Sequence, residues 1–527
     1  MPPRLHRFTC VAIAVLAIAV LAQTASAVVS PVRIGELSQD GTPTGRFGTA
    51  IAVSGSTTVV GADDVDGAGV AYVYETGPDG ITVLAATLRA PDPEAGDLFG
   101  HAVAIDGGTI AVGAPGEIPQ STFTGSGRQR AYVFRRSAAG RWRLAATLRR
   151  SAAPATGAVF GWGVAVSRGT VAVSAIDPLG AGAVGEADVF VRPATGWRDM
   201  TQTARLVPAG VVPDDQAGSA IGLDGPTLVL GAERVADGGA MVGAAYVFTR
   251  PAAGWTDATG GVRLPLASGR DMDGFGTAVA VHGRVIAVGA PGGAWWGNRP
   301  YAAVYRRPAG GWGALAEPTA LVEAPDDDLM FGISVALAPG VLVVGARAKA
   351  ATTDRGRAYV YGVAGDGAID ADPAIIRAPR AVADAGAFGV VAASGSRIAV
   401  GAPNVSVAGR GGSAYLDAVA AIHVLRSSMD ADGTLHLRVR VPGAGVLAAR
   451  GTAGWRVGGR VVYCRDAARA ARAGVVALTC RPNAAERAAL ARGQVRLLIR
   501  YAFRSAPQAP LEALERYALR ALTPVTG

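Results

Sequence analysis

Residues Phe99 to Pro115 read FGHAVAIDGGTIAVGAP. The stretch opens on Phe-Gly, closes on Gly-Ala-Pro and alternates apolar residues between. Val103, Ile105, Ile110 and Val112 fall at period-two positions, the pattern of two short strands. Asp106-Gly107-Gly108 supplies the tight turn between them. One such hairpin fits many folds. This one recurs: FGTAIAVSGSTTVVGAD begins at Phe47, FGWGVAVSRGTVAVSAI at Phe160, AGSAIGLDGPTLVLGAE at Ala217, FGTAVAVHGRVIAVGAP at Phe275, FGISVALAPGVLVVGAR at Phe331 and FGVVAASGSRIAVGAP at Phe388. The seven starts are 52, 61, 57, 58, 56 and 57 residues apart.

Each copy continues in the same way. A loop leads to a third strand with aromatic residues: Tyr72 and Tyr74, Tyr132 and Phe134, Tyr246 and Phe248, Tyr359 and Tyr361. A tryptophan turn follows at Trp142, Trp197, Trp255 and Trp312, then a fourth strand such as AATLRAP (85–91). Four antiparallel strands repeated seven times predict an all-β chain folded as a seven-bladed β-propeller. One unit cannot bury both faces, whereas radially packed blades bury them on each other. The signature Phe is read as a plug between sheets. Its Gly admits a neighbouring chain or a positive φ. Ala217 and Ser174 depart from the signature and predict looser packing there. Val32–Ser38 is a fourth strand with no blade in front of it, and AAIHVL (420–425) a third strand with no fourth behind it. The N-terminal strand is therefore expected to complete the last blade and close the ring.

These copies resemble the FG-GAP repeat family, the propeller of integrin α chains and of many secreted bacterial proteins, over residues 28–426. The resemblance implies calcium in the turn between the Phe-Gly and Gly-Ala-Pro strands, where an Asp-rich loop wraps the ion. The turns here are SGST (54–57), DGGT (106–109), SRGT (167–170), DGPT (224–227), HGRV (282–285), APGV (338–341) and SGSR (394–397), with at most one carboxylate each. No metal and no cofactor are expected there. Acidic runs at 63–67, 271–274 and 326–328 are read as solvated turns in preference to ion sites.

Residues 1–27 read as a secretory signal: Arg4 and Arg7, an apolar run from Val11 to Ala22, and Ala25-Ser26-Ala27 for cleavage. No later segment has 18 uninterrupted apolar residues, so no transmembrane segment is expected in the mature chain. The protein is expected to be secreted, extracellular or attached to the cell envelope. Cys464 and Cys480 are the expected disulfide there, closing a loop worth roughly 3 kcal/mol. The formal charge of +9 is local: residues 430–527 hold sixteen arginines against six acids. Lys349 is the chain's one lysine. Without aromatic residues interleaved among the arginines, nucleic-acid binding is not expected.

The pattern changes after the last copy. Strand-like runs at 434–441, 445–450, 455–464, 474–480 and 494–503, with a short helix capped by Asn483 and Glu486, predict a small β-sandwich-like domain over 427–527. It is similar to accessory domains of secreted actinobacterial proteins, on VPGAG (441–445) and its strand order. It reads as an envelope contact through the arginines or as a spacer.

No nucleophile elbow, phosphate-cradling loop or paired-histidine motif occurs. His101, His282, His423 and His436 share no spacing and read as surface or packed residues. The chain is therefore read as a non-enzymatic binding or adhesion module, its loops recognising an extracellular protein or a cell-surface glycan. Trp295, Trp296 and Arg299 are the expected ligand-binding residues, a flat stacking surface in the fifth copy. The competing reading has a tryptophan lidding the blade edge. Two other functions are weighed: an extracellular enzyme acting on glycans or lipids at the propeller face, and a structural envelope component.

Overall fold

The period-two hairpins pair in the register their sequences predict. In the second copy Val103 faces Val112, Ile105 faces Ile110 and Asp106 faces Thr109. The computed structural model describes residues 30–37, 45–77, 81–116, 128–151, 158–177, 182–266, 269–292, 299–325, 329–348, 356–363, 367–369, 373–377, 388–407 and 410–420, and beyond these 20–21, 423–429, 434–441, 445–454, 460–470, 474–481, 495–504 and 511–519. Residues 29–420 form one unit of seven antiparallel four-stranded blades. Blade 1 runs Ala50–Ser54, Thr57–Ala62, Val70–Thr76, Thr82–Leu88. Blades 2 to 6 repeat this order from Ala102, Val159, Ala217, Ala278 and Leu329.

Blade 7 closes the ring as expected. Its strands Val390–Ser394, Arg397–Val407 and Arg410–Ala420 are completed by Ser30–Leu37, with Ser30 opposite Ala420 and Leu37 opposite Ala414. The third strand is thus 410–420 and not 420–425. Residues 404–407 and 410–415 belong to the strands Arg397–Val407 and Arg410–Ala420. His423–Met429 pairs instead with Leu435–Val441, outside the propeller.

The signature aromatics are the plugs between sheets. Phe47, Phe99, Phe160, Phe275, Phe331 and Phe388 are all at most 1% exposed. Each meets the third-strand aromatics of its own blade, as Phe99 does Tyr132 and Phe134 at 5.4 and 6.1 Å. The signature glycines do two jobs. The Phe-Gly glycine lies at positive φ, +93° at Gly100, a region costly for residues with a Cβ. Its carbonyl lies against the Gly-Ala glycine of the preceding blade: a Cβ on Gly61 would stand 1.9 Å from Gly100 O, and one on Gly113 2.3 Å from Gly161 O. The same contact joins Gly401 of blade 7 to Gly48 of blade 1, at 2.4 Å.

On the opposite edge of each inner hairpin, the turns are tied to one another. Ser54 Oγ accepts from Gly107 N at 3.0 Å, Asp106 Oδ2 from Arg168 N at 2.6 Å, Ser167 Oγ from Gly225 N at 3.0 Å and Asp224 Oδ2 from Gly283 N at 2.6 Å. Ser394 Oγ accepts from Gly55 N at 3.2 Å across the ring closure. The residues at the family's calcium position are therefore hydrogen-bond links from blade to blade.

Blade 3 departs at a second point. Where blades 1, 2, 4, 6 and 7 place Tyr72, Tyr132, Tyr246, Tyr359 and Tyr415 in register, it has Asp188, opposite Val173. Asp188 is fully buried, with Arg150 Nε at 3.0 Å, and Arg150 also pairs with Glu186. Arg205 Nε reaches Glu186 at 3.3 Å. Burial pushes the Asp188 carboxyl up to about 6, against the pull of Arg150 and Arg205 and with a smaller push from Asp257.

Residues 421–527, with 1–28, cluster as a second unit. It holds two antiparallel sheets. One orders His423–Met429, Leu435–Val441 and Gly474–Cys480; the other orders Leu511–Leu519, Val495–Arg504, Gly445–Gly454 and Arg460–Ala470. Of the segment read as a signal, only Val20–Leu21 is described, beside Leu511–Leu519. The helix expected from Asn483 lies outside the described residues. No helix among those described is long and apolar enough to cross a membrane.

Three outcomes are expected. Gly113→Ala, facing backbone across the blade interface, should cost about 3 kcal/mol, whereas Gly107→Ala, with open space at its Cβ, should cost about 1 kcal/mol for its positive φ; denaturation midpoints check the order. A calcium chelator should leave the melting temperature unchanged, while Asp106→Ala lowers it. The raised Asp188 carboxyl favours folding below about pH 4, and that contribution, about 3 kcal/mol, is lost as pH rises through about 6. Asp188→Asn should therefore be more stable than the parent at pH 7, the gap closing toward pH 4 in melting curves.

Candidate functional site

In every blade the first strand begins after the connection from the previous blade, and the second strand ends into the 2–3 loop. Antiparallel pairing puts both sets of connections on one face, as the 1–2 and 3–4 turns are on the other. The residue two after the signature aromatic and the residue after the Gly-Ala pair thus circle one mouth. The first set is Thr49, His101, Trp162, Ser219, Thr277, Ile333 and Val390; the second is Asp63, Pro115, Ile176, Glu233, Pro291, Arg347 and Pro403.

At blades 1 to 3 these sets bring together a charged and aromatic group. The Asp63 side chain is fully buried, and its Oδ2 accepts from Arg46 Nη2 at 2.9 Å. His101 Nδ1 stands 3.0 Å from the same oxygen. Asp63 Oδ1, also buried, has no hydrogen-bond partner among the described residues. A carboxylate against Nδ1 selects the Nδ1–H tautomer and leaves Nε2 as an acceptor. The imidazole, 22% exposed at its side chain, lies against Trp162 with ring centroids 4.7 Å apart. The group offers a partly open imidazole acceptor, an indole face and a half-exposed guanidinium on one shelf.

The acids two residues before the signature aromatic have a different task. Asp97, Asp215 and Asp273 are buried. Each accepts through Oδ2 from the backbone three residues earlier: Glu94 N at 2.9 Å, Val212 N at 2.7 Å and Arg270 N at 2.8 Å. Each carbonyl then accepts from the 2–3 loop of the same blade, at Gly116, Arg234 and Gly292. Tyr301 donates its hydroxyl to Asp273 at 3.0 Å, and burial together with that negative charge pushes the phenol far up. Asp63 and Asp273 are thus not the solvated turn residues expected of them. Asp326–Asp328 lie outside the described residues. Among those described, no group of three or more His, Cys, Asp or Glu is arranged to hold a metal.

On blades 4 to 6 the same mouth carries a cleft of about 230 Å³, lined by Met241, Met272, Met330, Glu233, Pro291 and Ile333. A larger cleft, about 490 Å³, opens between Asp237, Arg263 and Leu266. It adjoins residues 267–268, which lie outside those described.

Of the expected ligand-binding residues, Arg299 is exposed and pairs with Glu323 at 3.2 Å. Trp295 and Trp296 lie outside the described residues. Cys480 is buried and disulfide-bonded; the side chain of Cys464 lies outside those described. His282 sits on the opposite face, 3.9 Å from Asp224. The pairing of His101 with Asp63, 38 residues apart, escaped the spacing argument. Aligning the copies on their signatures would have pointed to it, because the Gly-Ala glycine of blade 1 packs against the Phe-Gly glycine of blade 2, two and one residues from Asp63 and His101.

The FG-GAP repeat family model matches residues 83–134 and 200–248. Each match runs from a fourth strand or its approach through three strands of the next blade, so the sequence repeat is offset from the structural blade. Comparison with curated proteins gives no match. Among solved structures, the chain is similar to Pyrococcus horikoshii acylaminoacyl peptidase, at 9% identity and a TM-score of 0.37, covering 74% of this chain and 57% of that one. It is similar to the Saccharomyces cerevisiae core factor at 8% identity and 0.39, covering 76% and 62%. A third is the exo-1,5-α-L-arabinanase from a bovine ruminal metagenomic library, at 11% identity and 0.26, covering 52% and 95%. The chain thus spans less than two thirds of the length of the first two. Seven signature copies, their blade-to-blade glycine contacts and the family match lead to one conclusion: the chain carries FG-GAP repeats, and residues 29–420 fold as a seven-bladed β-propeller.

Proposed function

We propose that the propeller is an exported binding module that receives an extracellular protein or a cell-surface glycan on the face carrying the 2–3 loops. The observation that supports this reading most is the His101–Trp162 shelf held by buried Asp63. A rigid scaffold presenting a few open polar and aromatic groups on loops suits recognition. An imidazole acceptor beside an indole face matches a ligand with hydroxyl donors and an apolar face, as sugars and tyrosine-rich protein surfaces have. Asp97, Asp215 and Asp273 are spent on loop closure and Asp63 on Arg46 and His101, so these buried acids add little negative charge to repel such a ligand. The apolar N-terminal run with its small-residue end supports export, and the arginine-rich C-terminal unit supports attachment to an anionic envelope.

One observation favours an enzyme as the second reading. A carboxylate-held imidazole is the form of a general base. Among the described residues, His101 makes no further hydrogen bond that would supply a nucleophile.

The test is retention of the purified chain on a glycan array and on immobilised cell-envelope polysaccharide, beside a hydrolase substrate panel. His101→Ala and Trp162→Ala should each weaken retention about tenfold, near 1.4 kcal/mol, with melting temperature little changed. Turnover that is abolished by His101→Ala and Asp63→Asn would replace the binding reading with the enzymatic one. Retention indifferent to both shelf substitutions would remove this face from recognition.

A further inference from the structure

Six methionines occur in the chain. None belongs to the buried core among the described residues. That is unusual for a side chain whose ordinary use is filling core gaps. Three of them, Met241, Met272 and Met330, instead line the single 230 Å³ cleft at the mouth of blades 4 to 6. They come from three different segments: the 2–3 loop of blade 4, the connection into blade 5, and the first strand of blade 6.

The cleft is built. Met272 N donates to Met241 O at 2.9 Å, and Met241 N donates to Asp271 Oδ1 at 2.7 Å, so the two loops are tied to each other. Asp273 anchors the connection through Arg270 N, Tyr301 Oη and Gly292 N. Met272 itself is held at φ +63°. That left-handed conformation is unfavourable for a residue with a Cβ, and it persists only where the surroundings over-determine it. A glycine would sit there without strain, yet the position carries a long thioether that lines the cleft. The charged residues of the lining are Glu233 and the exposed Arg234, one carboxylate offset by one guanidinium, too few oxygens and too little net negative charge for calcium or magnesium. Thioether sulfurs are soft donors and select soft monovalent cations.

We propose that Met241, Met272 and Met330 form a site for a soft monovalent cation, copper(I) or its redox-inert analogue silver(I), bound through three thioethers. Unbranched methionine side chains have three rotatable bonds each, so sulfurs on one cleft can turn toward a shared ion. The site is separate from the His101–Trp162 shelf and does not depend on what that shelf binds.

The chain, carrying Cys10→Ser so that this thiol does not compete, is labelled at its methionine methyl carbons and titrated with silver(I) in chloride-free buffer. Silver should move the methyl signals of Met241, Met272 and Met330 together and saturate at one equivalent. The signals of Met200 and Met429 should stay in place, and calcium and zinc should move none. The three signals are assigned from single Met→Leu variants, volume-conserving changes that cores and clefts tolerate. A variant with all three as Leu should lose affinity by more than about 100-fold, exceeding the effect usual for a supporting residue of a metal site, at an unchanged melting temperature. Three signals that silver leaves unmoved, or affinity equal in the triple Leu variant, would overturn the proposal, as would equal response of all methionines.

Discussion

The ring rests on one steric constraint, repeated around the axis. The carbonyl of the Phe-Gly glycine in one blade lies against the Gly-Ala glycine of the blade before it, too close for any Cβ. This contact sets how near neighbouring inner strands come, and so how tightly seven sheets wrap. The large plugs depend on it. Phe99 is fully buried only because the backbones beside it approach so closely. A further glycine shares the task at the start of the third strand: a Cβ on Gly69 would meet Phe99 O at 2.1 Å, and one on Gly412 would meet Phe47 O at the same distance. The chain's 73 glycines are in good part the means of radial crowding.

Where the constraint is relaxed, polar chemistry enters. Blade 3 has Ser174 in place of the glycine, and its hydroxyl accepts from Gly163 N at 2.9 Å. The next blade has Ala217 in place of phenylalanine, and blade 3 holds Asp188 where five blades hold tyrosine. Both departures are buried, Ser174 at 0% and Ala217 at 1% exposure, and blade 3 also holds the buried cluster of Arg150, Glu186 and Asp188. Such a cluster is costly to desolvate, and the raised Asp188 carboxyl is that cost in visible form.

The 1–2 turns show how one position changes use. With several carboxylates they would hold calcium, each turn around its own ion. With one serine or aspartate each, Ser54, Asp106, Ser167, Asp224 and Ser394 instead reach the backbone of the next turn. The link passes between blades rather than within one. Pro339, which has no N–H, stands where the sixth turn would donate.

Much of the architecture was legible in the chain itself, because it follows from local pattern and repetition. Period-two alternation, the spacing of seven signatures and an unpaired strand at each end were enough for the blade count and the closure by Ser30–Leu37. The boundary strand was misread because 420–425 alternates as well as 410–420 does; pairing partners, not pattern, decide between them. The mouth was not legible. Asp63 and His101, or Met241, Met272 and Met330, are far apart in sequence and meet only because the ring turns the start of each first strand and the end of each second strand toward one axis. The sequence by itself determined the repeated unit, since backbone sterics and side-chain alternation act over a few residues. Only the tertiary structure decided which side chains converge, since convergence depends on the closed circle that no single blade contains.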